Sequence, residues 1–144
     1  MNRYRVHVIV EQRVYFMIQS DELDPGRITQ YVGVEPTRSE AKESRRGRKS
    51  ERLMPPRHEW MLDSGLAATT SLDEQVEAVM NQLAGAWDRI GELAAGGATA
   101  TLVMLRSFEP GEHSSPGGLF LNEEAISFLH RVGAHLWIDE YDLS

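Results

Sequence analysis

Cysteine is absent from the chain. A disulfide framework and thiolate metal ligation are therefore excluded, and thiol chemistry says nothing about compartment. Lysine is scarce: only Lys42 and Lys49 occur, and arginine supplies the remaining strong bases. Long apolar runs are also missing. No window approaches the roughly 18 apolar residues of a membrane span. The N-terminal MNRYRVHVIVEQRVYF alternates apolar and polar residues, unlike the unbroken apolar core of a signal peptide. The expectation is a cytoplasmic protein without a membrane partner. No G-x-S-x-G, Walker or dinucleotide-binding pattern is present, and the five histidines form no H-E-x-x-H. No catalytic residue, metal site or cofactor is assigned.

What is present divides unevenly in charge. The chain has 144 residues and a net charge of −7. Segment 38–57 contains eight bases and three acids, net +5, so the rest of the chain stands at −12. The segment contains no aromatic residue, which counts against stacking on single-stranded nucleic acid. The acidic remainder would repel a polyanion. Arginine suits bidentate contact with carboxylates. The candidate binding residues are Arg38, Arg45, Arg46, Arg48 and Lys49, with Trp60 beside them where the chain re-enters the fold.

Periodicity places the elements. Residues 4–18 alternate, with Tyr4, Val6, Val8, Val10, Val14, Phe16 and Ile18 on one parity and Gln12 as the one interruption. Period two means a half-buried strand, about 50 Å long at 3.3 Å per residue. A strand that long bends or overhangs, and an overhang offers an edge for dimerisation. A hairpin at Glu11-Gln12 is the rival reading, disfavoured because these are poor turn residues. Asp24-Pro25 opens a helix that ends at Gly33, with Ile28, Tyr31 and Val32 on its buried face. HEWMLDSG reads as a strand with Trp60 and Leu62 on one side. A single long helix is expected over 71–95, opened by the Ser71/Glu74 capping box and striped by Leu72, Val76, Val79, Leu83, Trp87, Ile90 and Leu93. Residues 99–108 are apolar on both parities, as in a central strand buried on both faces. Gly118–Leu121 reads as a short added strand. Asn122 caps a helix ending at Gly133, and AHLWIDEYD closes the chain as a strand.

The expected fold is one α+β domain, 1–144. Two strand–helix–strand units form a mostly antiparallel sheet with helices on one face, ferredoxin-like in general layout. The basic segment 38–57 is an insertion at the helix exit of the first unit. An insertion of about 20 residues without apolar periodicity is functional or disordered more often than structural.

The ordered motifs L-D-P-x-x-I (Leu23, Asp24, Pro25, Ile28), Gly33 with Pro36-Thr37, Gly47, W-x-L-x-S-G-L (Trp60, Leu62, Ser64-Gly65-Leu66), Gly117-Gly118 with Leu121, and Asp139 with Tyr141 together carry a resemblance. From about Tyr15 onward the chain resembles the bacterial proteins grouped as domain of unknown function 4279. The resemblance implies a fold and lends no activity.

The expected role is a non-enzymatic protein-interaction module using segment 38–57, by analogy an immunity- or accessory-type protein, with homodimerisation through a sheet edge or the long first strand. The alternative is nucleic-acid or polyanion binding through the same arginines. A third class, a small hydrolase, would require His135 and Asp139 to converge in a pocket.

Overall fold

A computed structural model describes residues 9–45, 56–108 and 119–142. One five-stranded sheet runs through it in the order β2-β3-β1-β4-β5. The strands are β1 (Ile9–Ser20), β2 (Arg38–Glu40), β3 (His58–Asp63), β4 (Thr99–Phe108) and β5 (Ala134–Asp142). The helices are α1 (Pro25–Val32), α2 (Lys42–Arg45), α3 (Leu72–Gln82), α4 (Trp87–Ala95) and α5 (Glu123–Val132).

β1 is the middle strand, antiparallel to both β3 and β4. It passes through Glu11-Gln12 without turning, so the single long strand holds over its described part; residues 4–8 lie outside it. A register shift between Ile9 and Glu11 bends the strand, as one extra residue in a ladder does. Pairing with β3 stops at Tyr15 opposite Asp63. Beyond that point other groups continue the ladder. Gln12 N–H donates to the Ala68 carbonyl at 2.8 Å. The Gln75 side chain accepts from Val14 N–H at 2.9 Å and donates to the Gln12 carbonyl at 2.7 Å. The Gln12 side chain, the odd polar residue of the alternation, donates to the Thr70 carbonyl.

Alternation places Val14, Phe16 and Ile18 on the helix-bearing face with Trp60, Leu62, Ala100, Leu102 and Met104. Ile28, Val32, Val76, Val79, Leu83, Ile90, Phe128 and Val132 close over them. Phe128 stacks at an angle on Phe16 at 5.7 Å and edge-on to Trp87 at 5.0 Å. Met17 and Val103 are buried on the other face and lie outside this cluster. β4 is buried on both faces as its composition implies, while the central position belongs to β1.

The capping signals act as read. Asp24 Oδ1 accepts from Arg27 N–H, Ser71 Oγ from Glu74 N–H and Asn122 Oδ1 from Ala125 N–H. Gly33 and Gly133 end their helices in the left-handed region, at φ 78° and 64°. Three expectations are corrected. The helix over 71–95 is two helices, broken across Leu83–Ala86, where Gly85 takes φ 87°. Leu83 and Ala86 stay buried through the break, so the apolar stripe runs on although the helix does not. Tyr31 is exposed and hydrogen-bonds the Glu92 carboxylate instead of facing the core. Leu119–Leu121 form no strand, and Gly118 lies outside the described residues.

The α+β class with a mixed sheet stands. The two units differ in direction: β1 and β3 are antiparallel, whereas β4 and β5 are parallel neighbours. In a ferredoxin-type split unit an intervening strand separates the parallel pair. Here none does.

Candidate functional site

The arginine segment begins on the sheet. Arg38 lies in β2 opposite Met61, exposed, with its guanidinium 5.6 Å from the centre of the Tyr15 ring. Burial raises the Tyr15 pKa above 10.0, Arg38 opposes that shift, and Glu59, Asp63 and Asp139 add to it. The ends of the segment turn onto their own body. Lys42 Nζ donates to the Asp21 carbonyl at 2.7 Å, and Arg57 Nε reaches the Asp21 carboxylate at 3.2 Å. Arg57 also donates to Thr99 Oγ1 at 2.9 Å. Arg45 is the last residue of α2, while Arg46, Arg48 and Lys49 lie outside the described residues. Trp60 does not join a surface with them. Its ring is fully buried, and Nε1 donates to Thr29 Oγ1 at 3.0 Å. An indole with a satisfied N–H in the core is structural.

His135 and Asp139 are four residues apart on one strand, about 13 Å at strand rise. Asp139 accepts from the Tyr141 hydroxyl at 2.6 Å, a bond that raises the Tyr141 pKa. Among the described residues no three His, Asp or Glu side chains converge as a metal ligand set. A cleft of about 220 Å³ lies between α3 and the start of α5. Asp73, Glu77 and Glu124 line it beside Met80 and Phe120, so it disfavours anions.

The two edges of the sheet contrast. β2 is three residues long and carries Arg38 and Glu40, a short charged edge of the kind that blocks further pairing. β5 is nine residues long, contains neither proline nor lysine but carries Asp139, Glu140 and Asp142 in its second half, and no described strand pairs with its outer side. Its apolar residues stand exposed on both faces: Leu136 37% and Ile138 39% on one, Trp137 54% and Tyr141 49% on the other. Arg106, buried in β4, pairs with Glu140 at 3.1 Å and fixes the inner side of β5. The alternation of AHLWIDEYD is legible in the sequence, but its edge position is set by pairing with β4, which periodicity does not reveal. The available signal is apolar residues on both parities of a strand with no gatekeeping charge between Leu136 and Ile138.

The fold is that of an α+β protein with helices packed on one face of a mixed sheet, in which β5 is an edge strand among the described residues. The chain belongs to the family described as domain of unknown function (DUF4279), whose model matches residues 10–143. No curated protein and no solved structure matches it.

Proposed function

We propose that the protein is a non-enzymatic interaction module that takes up a protein strand along the free edge of β5. The observation that supports this is the contrast between the three-residue β2 edge and the nine-residue β5 edge, whose Leu136–Ile138 stretch is apolar and exposed ahead of the acids Asp139, Glu140 and Asp142. Strand addition draws affinity from main-chain hydrogen bonds and specificity from alternate side chains, which here are Leu136 and Ile138 on one face and Trp137 on the other. An immunity- or accessory-type role toward a partner protein is one instance of such binding. The arginine segment takes a secondary place, because both of its described ends are fastened to Asp21.

Extended peptides selected on the wild-type protein provide the test. Their affinity should fall at least about tenfold for Ile138→Lys, a loss of roughly 1.4 kcal/mol, and stay unchanged for Arg38→Ala. Undiminished binding to Ile138→Lys would remove β5 from the reading. Steep weakening with salt and with Arg38→Ala would instead favour a polyanion at the arginine segment.

A further inference from the structure

Resting on the reading of β5 as a pairing edge, we infer that its occupant is β5 of a second copy, paired antiparallel about a two-fold axis through Trp137. A two-fold axis perpendicular to the sheet keeps the helices of both copies on the same side, so residues of like parity face each other. Only registers centred on a residue are then allowed.

The side chains of β5 discriminate among these registers. Centring on Trp137 sets Leu136 opposite the second copy's Ile138, His135 opposite its Asp139 and Trp137 opposite itself. Apolar meets apolar, an imidazole donor meets a carboxylate, and two half-exposed indoles form a cross-strand aromatic pair. Ala134 faces Glu140, whose carboxylate already pairs with Arg106 of its own copy. The neighbouring registers are worse. Centring on Ile138 sets Leu136 against Glu140 and Trp137 against Asp139. Centring on Asp139 brings that carboxylate against itself. Centring on Leu136 shortens the overlap to Ala134–Ile138 and sets His135 against Trp137.

The self-match also accounts for exposure on both faces. A strand that extends the sheet into its own copy uses anchors on both faces, because the helix-bearing face and the opposite face each continue across the junction. Leu136 and Ile138 serve the first and Trp137 the second.

Sedimentation velocity on the full chain reads the outcome. The wild type should run as a dimer, and Trp137→Lys, which alters an exposed side chain, should run as a monomer with an unchanged circular dichroism spectrum. The register is tested by exchange. His135→Asp sets two carboxylates against each other and Asp139→His replaces each acid–imidazole pair by two imidazoles, so with two such pairs per dimer each should weaken it by about two- to thirtyfold. The double variant His135→Asp with Asp139→His restores the pair and should restore dimerisation. A monomeric wild type overturns self-pairing while leaving the selected-peptide test of β5 to stand or fall by itself. A dimer indifferent to Trp137→Lys, or singles that the double variant does not rescue, overturns it as well. If Trp137→Lys fails to fold, the exchange series decides.

Discussion

Gln75 shows what one side chain can do when its whole hydrogen-bonding capacity is used. Its Oε1 accepts from Val14 N–H and Ser64 Oγ, and its Nε2 donates to the carbonyls of Gln12 and Thr70. The residue is buried, so these bonds replace water rather than compete with it. Gln75→Leu keeps the size and strands a backbone donor and a backbone acceptor of β1. The expected loss is about 2–5 kcal/mol, read by urea unfolding. The tyrosines supply a pH prediction. Tyr15, Tyr31 and Tyr141 all have raised pKa values, the first through burial and the others through bonds to Glu92 and Asp139. A raised folded value favours the neutral phenol. Its contribution is therefore complete below the ordinary value of 10.0 and lost as pH rises through the folded value. Tyr15→Phe should lose less stability than the wild type between neutral pH and pH above 10.0. Arg38→Ala should push the Tyr15 titration, followed by ultraviolet absorbance, further up. At Trp60 two sequence signals compete. Adjacency to a basic run suggests a surface role, but its parity with Leu62 already places it toward the core, and parity prevails.

Between elements, close approach decides what substitution is tolerated. Gly91 sits within α4, and a Cβ there would come 2.4 Å from the Arg131 carbonyl oxygen of α5. On helix propensity alone Gly91→Ala would stabilise by about 1 kcal/mol. The obstructing atom is backbone, so the helices must separate, and a net loss of about 1–3 kcal/mol is expected in thermal or urea unfolding. The Arg131 bridge to Asp88 at 2.7 Å and its contact with the Trp87 ring should weaken with it. Element boundaries were legible where the signal is local: Asp24, Ser71 and Asn122 caps, Gly33 and Gly133 stops, and the alternation of β1. The break at Gly85 was hidden because the stripe from Leu83 to Trp87 keeps helical spacing across it. Only the positive φ of one glycine within Ala84-Gly85-Ala86 distinguishes a turn from a helix interior.

For the whole molecule, the order of strands separates what the chain encodes locally from what it encodes by pairing. Two similar strand–helix–strand runs suggested equivalent units. In the fold the first unit closes antiparallel and the second parallel, and β5 is left at an edge. That difference depends on which strand lies beside β1, a contact over long sequence separation that periodicity does not carry. Charge asymmetry was legible in composition, and its described ends do engage the body, at Asp21. A prediction follows for segment 46–55: replacing it with a Gly–Ser sequence of equal length should keep the thermal midpoint within about 4 °C of the wild type. A larger fall would show that the core depends on those residues.

Asp21 receives Lys42 on its carbonyl and Arg57 on its carboxylate, so both flanks of the segment are fastened to one residue of the β1–α1 turn. The two described flanks are thereby held at one point, and for a flexible closure each doubling of length between such points costs about 0.6 kcal/mol. Lys42 and Arg57 lie beside β2 and β3, at the opposite side of the sheet from β5, so a length variant built between them keeps its distance from the β5 edge.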